Sequence, residues 1–195
     1  RTCGLTTESY QGKCGQGLAP PQDQTTVALN NKWSPPDRGT IKINTDASFI
    51  AETGSSSAGA IARDFRGRVY LSVYKLLPSC SSVEEAEARA ILVGLQTLAD
   101  YHRGPISLET DCQTIAKELS DDQKSRSACY GLLVEIKNTL TAFQSYTISS
   151  TGRTGNTLAH GLGAEARRAG DNLILAGVPD SLRSLMISEC ICPSE

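Results

Sequence analysis

Ile41-Lys42-Ile43-Asn44-Thr45-Asp46-Ala47-Ser48-Phe49 decides how the rest of the chain is read. Ile41, Ile43, Thr45, Ala47 and Phe49 alternate with Lys42, Asn44, Asp46 and Ser48. Period two is the mark of a strand with two unlike faces. Strands disfavour Asp, so an Asp in the middle of this one needs a reason to be there. We read Asp46 as the first ligand of a divalent-metal site, with later acidic positions placed to meet it.

Working outward, Thr53 to Ser57 form a Gly/Ser turn, and Ala58 to Asp64 a second strand. Phe65-Arg66-Gly67 is a hairpin turn, and Arg68 to Leu76 a third strand with Val69, Leu71 and Val73 on one face. Ser82-Val83-Glu84-Glu85 is a capping box that opens a helix through Ala86, Ala90, Ile91, Leu95 and Leu98. His102-Arg103-Gly104-Pro105 stops it. Gly94, in mid-helix, implies close packing there. A short strand, Ile106 to Thr110, runs up to Asp111 and is expected to lie parallel to the first. Helices near 112–119 and 126–141 carry apolar stripes that include Cys112 and Cys129. A fifth strand is expected from Phe143 to Ser150, and a last core helix from Thr154 to Ala169. The order is βββαβααβα: an α/β fold with a mixed five-stranded sheet flanked by helices.

Residues 1–32 read as a flexible linker and 33–170 as the domain. Residues 171–195 read as a tail with a short helix after Pro179. Trp33, the sole Trp, is expected to anchor on the domain edge. Of the 195 residues 39% are hydrophobic and 21% charged, which is globular composition. A net charge of −2 excludes binding to nucleic acid by bulk electrostatics. The seven Cys contain no C-x2-C pair, which argues against a zinc finger and for reduced thiols. No apolar run approaches the ~18 residues of a membrane span, and no signal-peptide core is present. An intracellular monomer, nuclear or cytoplasmic, is expected. Beginning at Arg1, the chain can be a fragment.

If the first and fourth strands are parallel neighbours, Asp46 and Asp111 lie side by side. The connecting helix can then lower Glu87 toward them. Three hard oxygen ligands suit Mg²⁺ or Mn²⁺. Two such ions about 4 Å apart can activate water and stabilise a leaving oxygen at a phosphodiester.

The blocks Lys42–Asp46, Gly59–Gly67, Ala86–Leu95, Leu108–Asp111 and Arg153–His160 together resemble the type 1 ribonuclease H family. Within it they are most similar to the reverse-transcriptase-like domains that plant genomes carry from non-LTR retrotransposons. The resemblance implies a ribonuclease H-like fold and two-metal cleavage of the RNA strand of RNA–DNA hybrids. It assigns the first three acidic positions to Asp46, Glu87 and Asp111. The fourth falls on His160, where acidic members have Asp. His160 lies off the Leu158, Leu162 and Ala166 stripe, so it can face the site. An imidazole there suits Mn²⁺ better than Mg²⁺ and can also shuttle protons. Asn44, Ser48 and Asn156 are read as substrate contacts, with Asn44 alternatively orienting a carboxylate and Asn156 also capping or supporting the last helix. Asp111 can cap the helix after it, Asp64 belongs to the hairpin turn, and Glu109 supports the site. Lys117, Lys124, Arg126 and Lys137 are the only cations from Asp111 to Thr151, so the resemblance leaves little room for a basic protrusion. The rival reading is a domain that keeps the fold, has lost catalysis, and binds nucleic acid or a protein. An exonuclease of the same superfold fits less well, because the first strand lacks the D-x-E start.

Overall fold

The computed structural model describes residues 32–121 and 127–190. All but the last residue of the linker read over 1–32, the cations Lys124 and Arg126, and residues 191–195 lie outside the described residues. Three antiparallel strands come first: β1 (Ile41–Ile50), β2 (Ser55–Arg63) and β3 (Val69–Leu77). Then follow α1 (Val83–Ala99), β4 (Ile106–Thr110), α2 (Gln113–Ser120), α3 (Tyr130–Leu140), β5 (Tyr146–Ser150) and α4 (Thr157–Ala169). Two further elements, β6 (Leu173–Leu175) and α5 (Arg183–Cys190), complete the chain.

The sheet order is β5-β4-β1-β2-β3-β6. β4 runs parallel to β1 and β5 parallel to β4. Among the described residues the sheet therefore has six strands, not the five expected. β6 pairs antiparallel with β3, through Val73↔Ile174 and its neighbours. Three residues are too few to show a period, so Leu173-Ile174-Leu175 reads from sequence as part of a tail. The fifth strand starts later than expected, at Tyr146, because Phe143 turns into the core instead. α3 also starts later, with Cys129 as its buried cap residue. Cys80, Cys112 and Cys129 are free thiols. No helix among the described residues is long and apolar enough to cross a membrane.

Two cores flank the sheet. Ile43, Ala60, Ala62 and Leu108 meet α1, α2 and α3 on one face. Ile61 and Tyr74 meet Leu158, Leu162 and Ala166 of α4 on the other, with Leu182, Leu185 and Met186 packed alongside. The capping box forms, displaced by one residue: Glu85 N–H donates to Ser82 Oγ at 3.1 Å, while the Glu85 carboxylate accepts from Ser81 N–H at 2.9 Å. Asp64 closes the hairpin turn by accepting from the N–H groups of Arg66 and Arg68.

Small residues bring both helices down onto the sheet. A Cβ on Gly94 would lie 2.9 Å from Ala60 Cβ and 3.1 Å from Thr45 Cγ2. A Cβ on Gly59 would lie 2.1 Å from the Ala159 carbonyl oxygen and 2.4 Å from the Gly163 nitrogen. Both of those neighbours are backbone, so no rotamer change can relieve the clash. Gly59→Ala is expected to cost about 2–3 kcal/mol, read as a lowered urea midpoint, with α4 displaced from β2.

Candidate metal centre

The register of β1 against β4 ends on Thr45↔Thr110, so Asp46 and Asp111 both follow directly on a paired row. Asp46 is 3% exposed. Glu87 lies in the second turn of α1, is 6% exposed, and accepts the Ala47 N–H. One ligand oxygen from each of Asp46, Glu87 and Asp111 lies within 4.8 Å of the others. The acidic trio expected from topology is therefore assembled.

Burial pushes the Glu87 carboxyl up to about 9, and the charges of Asp46 and Asp111 push the same way. Asp46 rises to about 6, first through burial and then through Asp111, with His160 opposing. Desolvated like charges favour a shared proton or a cation. Glu87 Oε2 is buried and has no hydrogen-bond partner, as an atom kept for a ligand would be. A donor set of carboxylate oxygens fits a hard divalent cation such as Mg²⁺ or Mn²⁺.

His160 faces the site, as its position off the buried stripe implies. Its Nδ1 lies 2.8 Å from Asp46 Oδ2 and its side chain is 70% exposed. It stands beside the close trio, bonded to one member. Asn156 occupies the cap position of α4 but makes no capping bond; its Nδ2 donates to the Thr45 carbonyl at 2.9 Å. Asn44 is fully buried, holding Glu109 Oε2 at 3.1 Å through Nδ2 and accepting the Trp33 indole N–H at 3.0 Å. Ser48 Oγ accepts from Arg167. All three side chains read as substrate contacts are thus engaged within the protein. Asp111 makes no cap for α2; the cap residue is Cys112, whose N–H is held by Thr110 Oγ1.

Sequence reading missed Arg153 and Arg167. Arg153 sits on a 3-10 turn before α4, with Nε 4.0 Å from Asp111 Oδ2 and a side chain 96% exposed. Its signal was its place in the block ending at His160, seven residues ahead of it. Nothing in the order of residues alone sets a turn of β5–α4 against the end of β4.

The close acidic trio on a mixed sheet of this order defines a ribonuclease H-like fold. The sequence family described as reverse transcriptase-like matches residues 44–166, and the chain belongs to that family. No curated protein matches it. Among solved structures, ribonuclease H1 of the halophilic archaeon Halobacterium salinarum is 21% identical, with a TM-score of 0.62 over 67% of this chain and 99% of that one. The N-terminal ribonuclease H domain of Rv2228c from Mycobacterium tuberculosis is 18% identical, at 0.61 over 67% and 95%. LC11-ribonuclease H1, solved with an RNA/DNA hybrid, is 17% identical, at 0.60 over 67% and 99%.

The folded chain holds the Glu87 proton more tightly than the unfolded chain, whose carboxyl has the ordinary value of 4.5. The Glu87 proton therefore contributes stability to the metal-free protein that is fully present below that value and is lost as pH rises toward about 9. Glu87→Gln removes this dependence. In thermal unfolding without divalent ions, the variant is expected to melt above wild type at about pH 8, by about 2–4 °C per kcal/mol relieved, with the gap closing toward about pH 5. Adding Mn²⁺ should raise the melting point of wild type and leave the variant nearly unchanged.

Proposed function

We propose that the chain is a metal-dependent endoribonuclease that hydrolyses the RNA strand of RNA–DNA hybrids. The observation that carries this is the convergence of Asp46, Glu87 and Asp111, with a buried Glu87 oxygen left without a partner. Asp46, Glu87 and Asp111 would hold a pair of divalent ions, with His160 at the fourth position. Bound there, the ions supply positive charge that acidifies an attacking water and offsets the charge gathering on the phosphate.

The chain's own residues do the rest. His160 Nδ1 lies within hydrogen-bond distance of Asp46 Oδ2, so the ring is held beside the trio and can hand a proton to or from that carboxylate. Ala47 N–H orients Glu87. Arg153, exposed beside Asp111, is placed to meet a phosphate of the bound strand. An A-like minor groove lined by 2′-hydroxyls distinguishes the RNA strand without base reading. A reading without catalysis is favoured by one observation, the His where acidic members carry Asp, and the same experiment decides between them.

Wild type is expected to cut the RNA strand of a labelled hybrid at low salt, faster with Mn²⁺ than with Mg²⁺. Asp46→Asn should lose more than ~100-fold, since groups that only orient ligands already cost about 10–100-fold. His160→Asp should raise the Mg²⁺ rate. If wild type and His160→Asp are both folded and inert with either ion, the reading as a hydrolase is wrong and a binding module replaces it. Arg153→Gln should raise KM and flatten the dependence of log KM on log salt by about one.

A further inference from the structure

Two segments outside the family match of 44–166 meet at one buried group inside it. Arg63, at the end of β2, is 1% exposed. The Trp33 ring lies 3.8 Å from its guanidinium carbon on one side. Glu189 of α5 reaches it from the C-terminal end, with Oε2 2.6 Å from Nη1. A buried guanidinium needs a charged partner, and removing one member of such a pair leaves an uncompensated buried charge. That need alone would explain an acid at 189. It does not explain the other oxygen of the same carboxylate.

Glu189 Oε1 accepts the hydroxyl of Thr157, the first residue of α4. Arg63 in turn donates to Asn44 Oδ1 at 3.2 Å, and Asn44 donates to Glu109. Lys42 pairs with the remaining Glu109 oxygen. Asn44 and Glu109 face each other in the β1–β4 register. Each stands two residues before a carboxylate of the trio, on the same strand face. Thr157 stands three residues before His160, one turn down the same helix. The chain of contacts from Thr157 through Glu189, Arg63 and Asn44 to Glu109 therefore clamps α4, β1 and β4. Those are the elements that present His160, Asp46 and Asp111.

We propose that Glu189 is a positioning residue for the metal centre: one carboxylate, delivered by α5, sets the start of α4 against β1 and β4 and so fixes His160 relative to Asp46. This rests on the trio being the metal site of the proposed hydrolase. Glu189 touches neither substrate nor ligand oxygens; it acts through Thr157 and Arg63. The C-terminal helix is then a working part of the site and not a tail.

The test uses the full chain. Thr157→Val removes only the hydroxyl and leaves the Arg63–Glu189 pair intact, which avoids the folding failure that Glu189→Ala invites. Glu189→Gln keeps an acceptor for Thr157 while removing the charge that holds Arg63. Mn²⁺ affinity is read by electron paramagnetic resonance, kcat and KM on the hybrid by steady-state cleavage, and folding by melting point. Thr157→Val and Glu189→Gln are each expected to weaken Mn²⁺ binding and lower kcat by about tenfold at constant KM, and Thr157→Ser to restore both. Wild-type Mn²⁺ affinity and kcat in Thr157→Val, whatever its melting point, would overturn the proposal and leave α5 a purely stabilising element. A wild type that binds Mn²⁺ but does not cut would overturn the hydrolase reading alone; the positioning role would still be upheld by weakened Mn²⁺ binding in Thr157→Val.

Discussion

Three carboxylates held within 4.8 Å of one another in a mostly buried place repel each other, and the fold has to bear that repulsion. Asp46 sits on a central strand, Asp111 at the end of its parallel neighbour, and Glu87 on the helix that leads from β3 into β4. The result is a raised Glu87 carboxyl and a half-relieved Asp46, with His160 supplying part of the relief. The strain is local, and the packing around it is correspondingly tight.

That tightness comes from missing side chains. Gly94 lets α1 sit on Thr45 and Ala60; Gly59 lets the backbone of α4 touch β2. Larger residues at either place would lift a helix that carries a site residue. Ala60 and Ala62 of β2 face α1, while Gly59 and Ile61 of the same strand face α4, so small residues thin the strand on both sides. Here the demands of packing and of the site coincide, because the helices must be near for Glu87 and His160 to reach Asp46.

Much of this could be read from the residues in order. Period two in β1, the capping box at Ser82 and the Gly-containing hairpin turn are local signals, and local signals survive folding. Asp46, Glu87 and Asp111 were legible because a helix between the antiparallel meander and β4 makes β4 a parallel neighbour of β1 and brings particular ends together. β6 was illegible because three residues carry no period. The buried fates of Asn44 and Asn156 were illegible because the strand pattern tells which face a side chain takes, not what covers that face. In Asn44's case the cover includes Trp33 and Arg63, eleven and nineteen residues away in sequence. Arg153 was hidden for the same reason: its neighbour Asp111 is set by the sheet order, which only long-range pairing decides.

β6 and α5 also decide where the molecule can be cut. A piece trimmed to the family-matched span would leave the outer edge of β3 as an open row of backbone donors and acceptors. It would also leave the buried Arg63 with Asn44 but without Trp33 and its charged partner Glu189. Trp33 and Glu189, both outside the family-matched span, are therefore part of the packing around its buried Arg63.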